Sequence, residues 1–260
     1  MLLTRTLSAL VLAPLILLDI YAGGLWLDGL VVVAAGLMGW EWARMTGEGR
    51  LGPGGLVAIA ALIGVPLAFA LGASQHALAE LLLGTAAAAA VTWFTRPRQA
   101  AWIGLGMLYI GIACLSFLWL RHVPEEGRNL VFWLLAVVWA TDIGAYFAGR
   151  GIGGPKLAPK ISPNKTWAGL IGGALSAGLV GVLAAGFLGR EAMLLVVGGM
   201  VLAVVAQGGD LLESWCKRRF GVKDSSHIIP GHGGILDRVD GLLAVLPVAF
   251  LYFWVVKDSI

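Results

Sequence analysis

Charge is scarce in this chain. Lysine, arginine, aspartate and glutamate make up 13% of its 260 residues, about half the share usual in a soluble domain. Cysteine is scarcer still. Cys114 and Cys216 give no disulfide framework, and Cys216, beside Lys217, reads as a residue of a basic loop. The glycine-rich stretches lack Walker A spacing, which argues against a P-loop. There is no internal repeat and no linker long enough to separate two tethered domains. A leucine-rich start follows Arg5, as in a secretory leader. Further apolar runs come after it, so it is read as a retained first span.

What the chain has in abundance is apolar sequence. Hydrophobic residues make up 59% of it and the mean hydropathy is +0.88. Crossing the hydrocarbon core of a bilayer takes ~20 such residues in a helix. Nine spans are expected, at roughly 7–24, 27–43, 54–72, 76–94, 100–120, 129–149, 166–187, 192–214 and 241–256. The expected fold class is therefore an all-α polytopic integral membrane protein. Trp26, Trp40, Trp42, Trp93, Trp102 and Trp119 fall near expected interfaces and fit an aromatic belt. The alanine run 86–90 suits a close-packing helix surface. With the N-terminus inside, fourteen of the eighteen lysines and arginines fall on one side and four on the other. By the positive-inside rule the loops 150–165 and 215–240 then face the cytoplasm.

Ionisable groups are unevenly spread. Residues 1–128 read as scaffold: Asp19, Glu41 and Glu80 lie near span ends, where hydrated caps are expected. Residues 129–260 carry the polar clusters. Charge buried in hydrocarbon is costly unless paired, hydrated or metal-bound, so these clusters are where function is expected. Asp142, Tyr146 and Gly149 share a helical face by their spacing. The loop 150–169 holds glycines, prolines and four bases. Ser162-Pro163 reads there as an N-cap followed by proline at the first helical position. Backbone amides at a helix start, with Lys165 and the hydroxyls of Ser162 and Thr166, suit a phosphate. Contact with anionic lipid headgroups is the plainer alternative.

Asp210, Glu213, Ser214 and Lys217 recur at i, i+3, i+4 and i+7, on one helical face. Asp237 and Asp240 repeat the three-residue spacing around Arg238. Hard oxygen donors at this density suit Mg²⁺, which keeps waters and shares its site with substrate phosphates. An ion-paired helix end explains one acid beside one base, but not three aspartates near a glycine-rich turn. That turn, Pro230-Gly231-His232-Gly233-Gly234, offers amides for an anion. His232 is expected to donate a hydrogen bond or contact phosphate.

These residues together resemble the phosphatidate cytidylyltransferases. The resemblance rests on Ser214, Lys217-Arg218, Lys223-Asp224, His232-Gly233-Gly234 and Asp237-Arg238-Val239-Asp240, in order over about 27 positions. Asp142 to Tyr146, Lys160 to Thr166 and Gln207 to Ser214 support it. One position departs: where the family usually carries a glutamate before glycine, this chain has Ala168.

The resemblance implies transfer of a cytidylyl group from CTP to phosphatidic acid, giving CDP-diacylglycerol and pyrophosphate. It implies Mg²⁺ held by Asp210, Asp237 and Asp240, with two cations per site, the second of which need not be Mg²⁺. Asp142 is a further ligand or substrate contact. Ser162, Asn164, Lys165 and Thr166 are expected to hold CTP, and Lys217, Arg218, Lys223 and Arg238 the lipid phosphate or pyrophosphate. The implied partners are CTP, phosphatidic acid, the bilayer and a second copy of the chain in a homodimer, with no nucleic acid. The implied location is a prokaryotic plasma membrane with the site on the cytoplasmic side. Two other readings stand beside it. One is a CTP-using lipid kinase, which would release CDP. The other is a cation-coupled transporter, which would place acids at mid-membrane in both halves.

Overall fold

The computed structural model describes residues 2–257. The side chains of Arg5 and Lys257, counted in the charge asymmetry, lie outside the described set. The helices are α1 (Leu2–Ala22), α2 (Gly24–Thr46), α3 (Pro53–Ala70), α4 (Ala77–Thr95), α5 (Pro97–Arg121), α6 (Gly127–Gly151), α7 (Trp167–Leu188), α8 (Ala192–Arg219) and α9 (Leu236–Lys257). Between α6 and α7 a hairpin forms from β1 (Lys156–Ala158) and β2 (Ser162–Thr166). Among the described residues, seven helices, α2 to α8, are long and apolar enough to cross a membrane. Their outward faces carry large apolar side chains such as Leu25, Trp26 and Phe94, as expected where the solvent is lipid.

The chain divides into two compact units. The first is Met1–Trp119 with Arg219–Val239; the second is Leu120–Arg218 with Asp240–Ile260. The division at residue 128 drawn from sequence marks where the polar clusters begin, whereas this one follows packing.

In the first unit α2, α3 and α4 pack through small residues. A methyl added at Gly54 would meet the Thr92 hydroxyl, and one at Gly84 would meet Ala61. Trp42 is not part of an interfacial belt. It is buried, and its Nε1 donates to the Trp102 carbonyl at 2.8 Å. Gly106 leaves the room that its ring occupies.

In the second unit α6 and α7 are held at close range by glycine. An added carbon at Gly144 would strike Ser176, one at Gly172 would strike Ala148, and one at Gly173 would meet Gln207 and Thr141. Membrane helices gain van der Waals contact in this way, since burial of apolar surface drives nothing between them in lipid.

Two boundaries differ from the sequence expectation. Helix α7 starts at Trp167, with Thr166 as N-cap and not Ser162: Thr166 is extended, and its hydroxyl accepts from the Gly169 amide at 3.1 Å. Ser162-Pro163 belongs instead to β2, whose partner strand completes its hydrogen bonds. Helix α8 runs on to Arg219, so the second polar loop is 220–235 and not 215–240. Cys216 accordingly sits buried within that helix, not on a basic loop.

Candidate active site

The second unit gathers charge from four elements. Lys165, near the end of β2, pairs with Asp210 of α8 at 2.5 Å and also donates to the Gln207 carbonyl at 3.4 Å. The Ser214 hydroxyl donates to the other Asp210 oxygen at 3.3 Å. One turn on, Lys217 pairs with buried Glu213 at 3.3 Å. The i, i+4 spacing of α8 thus delivers a face with two acids, a hydroxyl and a base. Gln207, on the same helix, is buried and donates to the Leu170 carbonyl of α7 at 3.3 Å. That bond ties α8 to the helix that β2 feeds.

Asp240 stands just ahead of the apolar run 241–256, and its Oδ1 accepts from the Gly241 amide at 2.7 Å. Burial raises its carboxyl above the ordinary range, and the charge of Asp210 and, less strongly, Asp142 adds to this. The Gly241 amide and Lys217 oppose it, leaving the group at about 7. Asp142, Asp210, Asp240 and Lys217 thus belong to one electrostatic neighbourhood. Asp142 itself is exposed on α6, beside Tyr146 and Arg150, whose side chains are 3.2 Å apart.

The remaining expected residues of this unit differ in character. Thr166 is buried and uses its hydroxyl as the cap of α7, while Asn164 is exposed and Ser162 half-buried at the hairpin. Arg218 is exposed near the end of α8. Ala168, the departing position, is the second residue of α7, in the turn whose amides favour negative charge.

The first unit contains a second polar cluster, built on the loop 220–235. One oxygen of Asp237 accepts from the Ser225 amide at 2.9 Å, the Ser225 hydroxyl at 3.0 Å and the Gly234 amide at 2.8 Å. Glu41, from α2, is fully buried. Its Oε1 accepts from the Ser226 hydroxyl at 2.6 Å and the Ile235 amide at 2.8 Å. Its Oε2 accepts from the Leu236 amide at 2.8 Å and lies 3.2 Å from the Ser225 hydroxyl, whose one proton it shares with Asp237. Three successive amides, 234 to 236, are therefore taken by two carboxylates just where α9 starts. Helix N-termini leave such donors unsatisfied unless something caps them.

His232 lies at the turn of this loop, its amide donating to the Ile229 carbonyl at 2.9 Å. Its Nδ1 is buried without a hydrogen-bond partner. Lys223 and Arg238 are exposed.

A family model described as the cytidylyltransferase family matches residues 3–256. The chain belongs to that family. It is 40% identical over 251 residues to a phosphatidate cytidylyltransferase of Brucella suis biovar 1, covering 96% of this chain and 92% of the relative. A phosphatidate cytidylyltransferase of Pseudomonas aeruginosa is 38% identical over 271 residues, covering 98% of this chain and 97% of the relative. One of Bacillus subtilis is 42% identical over 157 residues, or 60% of this chain.

Within this cytidylyltransferase, sequence reasoning missed Glu41. It was expected to be a hydrated cap at a span end, but it is 0% exposed and meets four donors. Its partners lie 184 to 195 positions away, beyond the reach of any local pattern. A signal was present in its setting, an acid between Trp40 and Trp42 in a mostly apolar span.

Proposed function

We propose that this cytidylyltransferase joins CTP to phosphatidic acid, releasing pyrophosphate and leaving CDP-diacylglycerol in the membrane. An oxygen of the lipid phosphate attacks the α-phosphorus of CTP, and the bond from that phosphorus to the pyrophosphate oxygen breaks. Both reactants are anions, so the protein's task is alignment and charge neutralisation. The lipid phosphate is already ionised at neutral pH, so no protein nucleophile is required.

The observation that carries this reading is the Lys165–Asp210–Asp240 neighbourhood in the second unit. Mg²⁺ suits its donors. Among the described residues no three acidic, histidine or cysteine side chains form a ready cage. Mg²⁺ does not need one, because it commonly takes one or two carboxylates and completes its shell with water and substrate phosphate. Burial, and then the charge of Asp210, raises the Asp240 carboxyl, and a bound cation would favour its ionised form. Asp210 and Asp240 would hold the ion, with Asp142 next to them. Bound there, a divalent ion would neutralise the phosphate oxygens that approach and leave the reacting phosphorus.

The chain's own cations do the rest. Lys165 is held on Asp210, and a nucleotide phosphate offers it a second anionic partner. Asn164 and Ser162 add donors from the hairpin. Lys217 and Arg218 draw in phosphate groups from the end of α8, and Lys223, His232 and Arg238 keep the phosphate-contact role that the family signature implies. The charge asymmetry of the spans supports a site on the cytoplasmic face of a prokaryotic plasma membrane. There a nucleotide in water meets an acyl-anchored phosphate.

A product assay on the purified chain, given CTP and phosphatidic acid in detergent, tests the reaction class. Release of pyrophosphate in step with CTP loss supports cytidylyl transfer. Release of CDP would make the chain a kinase and overturn the proposal.

A further inference from the structure

We infer that Glu41 is a positioning residue for cytidylyl transfer: a carboxylate from the second helix that latches the loop 220–235 and fixes the start of α9. The inference rests on the proposed function for its activity arm and on geometry alone for its conformational arm.

A carboxylate is an acceptor-only group, and Glu41 meets four donors with a matched division. Each oxygen faces one serine hydroxyl and one backbone amide. Burying it without such partners would be costly. The loop is built around it as much as it is built around the loop. A Cβ at Gly234 would stand 2.3 Å from Oε1 of Glu41 and 2.0 Å from the Ser225 hydroxyl. The neighbouring Gly233 has a φ of 84°, and a Cβ there would stand 2.7 Å from the Asp237 oxygen that receives the Gly234 amide. The two glycines of the His-Gly-Gly turn therefore answer to two carboxylates, Asp237 within the signature and Glu41 some 190 positions before it. Glu41 acts as a tertiary cap for α9. It sets where His232 and Asp237 stand without touching substrate itself.

Glu41→Gln tests this because it keeps size and removes one acceptor. Its NH₂ cannot receive an amide N–H, so one of the two backbone bonds must break. Wild type, Glu41→Gln, Glu41→Asp and Ser226→Ala are compared, with exposed Glu80→Gln as the control. Two readouts are taken: kcat and the KM for CTP, and trypsin cleavage after exposed Lys223 at the edge of the loop.

The expected result for Glu41→Gln is a fall in kcat of about tenfold or more with cleavage faster by a similar factor. Glu41→Asp, which keeps both acceptors, recovers part of both. Ser226→Ala loses one hydroxyl bond and shows a smaller change in the same direction, which keeps the test open even if Glu41→Gln does not fold. Wild-type kcat together with wild-type cleavage in Glu41→Gln, or in Ser226→Ala where Glu41→Gln does not fold, would overturn the latch. If wild type makes no CDP-diacylglycerol while Glu41→Gln still loosens the loop, the functional reading fails and the latch stands.

Discussion

Lys165 and Asp210 form a 2.5 Å ion pair that joins strand β2 to helix α8. The pair keeps a base and an acid together beside the electrostatic neighbourhood of Asp240. A nucleotide that draws on Lys165 must share it with Asp210. Lys165→Ala is therefore expected to raise the KM for CTP by roughly tenfold or more, the scale of a charge-assisted phosphate contact. Saturation curves for CTP at fixed phosphatidic acid check this, and an unchanged KM would remove Lys165 from the nucleotide site.

Asp240 gives the chain a pH dependence of definite sign. Its carboxyl is held at about 7 in the folded protein, above its ordinary value of 3.8. Between those values the folded state binds more protons than the unfolded state, so stability falls as pH rises through that window. Melting in detergent with EDTA is expected to drop between pH 5 and pH 8. Mg²⁺ binds the ionised form and should flatten that drop. The same slope with and without Mg²⁺ would argue against a cation at Asp240.

Asp237 and Asp240 stand three positions apart, yet their surroundings ask different things of them. One oxygen of Asp237 is committed to three donors of the loop, whereas Asp240 feels the charge of Asp210. Asp237→Asn is expected to lower turnover about tenfold, as a charged acceptor becomes a neutral one, while half-saturating Mg²⁺ stays within about twofold. Asp240→Asn is expected to move half-saturating Mg²⁺ upward as well. Mg²⁺ titrations of the two purified variants separate the roles.

Packing in the first unit makes a simpler prediction. A Cβ at Gly106 would lie 1.9 Å from Nε1 of Trp42, which is held in place by its bond to the Trp102 carbonyl. Gly106→Ala should cost ~1–3 kcal/mol, as other overpacked cores do. Thermal unfolding in detergent would show this as a lowered midpoint, at roughly 2–4 °C per kcal/mol for a chain of this size.

Much of this was legible from residue order. Long apolar runs disclosed the helices, because lipid leaves backbone amides no other partner. The i, i+4 spacing from Asp210 to Lys217 disclosed the polar face of α8, because helical geometry is local. What was not legible depended on distant partners. Ser162-Pro163 has the chemistry of a helix start, but residues 156–158 pair with 162–166, and the cap passes to Thr166. Cys216 sits in a polar run, yet α8 continues through it because α8 persists to Arg219. Glu41 looked like a solvated helix end. Its four donors come from the far end of the chain, where only folding brings them within reach.

The central claim is that this chain moves a cytidylyl group onto a lipid phosphate. The most direct measurement supplies α-³²P-labelled CTP to the purified protein in vesicles containing phosphatidic acid and Mg²⁺, then extracts the lipid. The account expects label in the lipid fraction in a one-to-one ratio with pyrophosphate, and its loss in Asp210→Asn. Label that stays wholly in the water-soluble fraction, under conditions where the protein is folded, would contradict it.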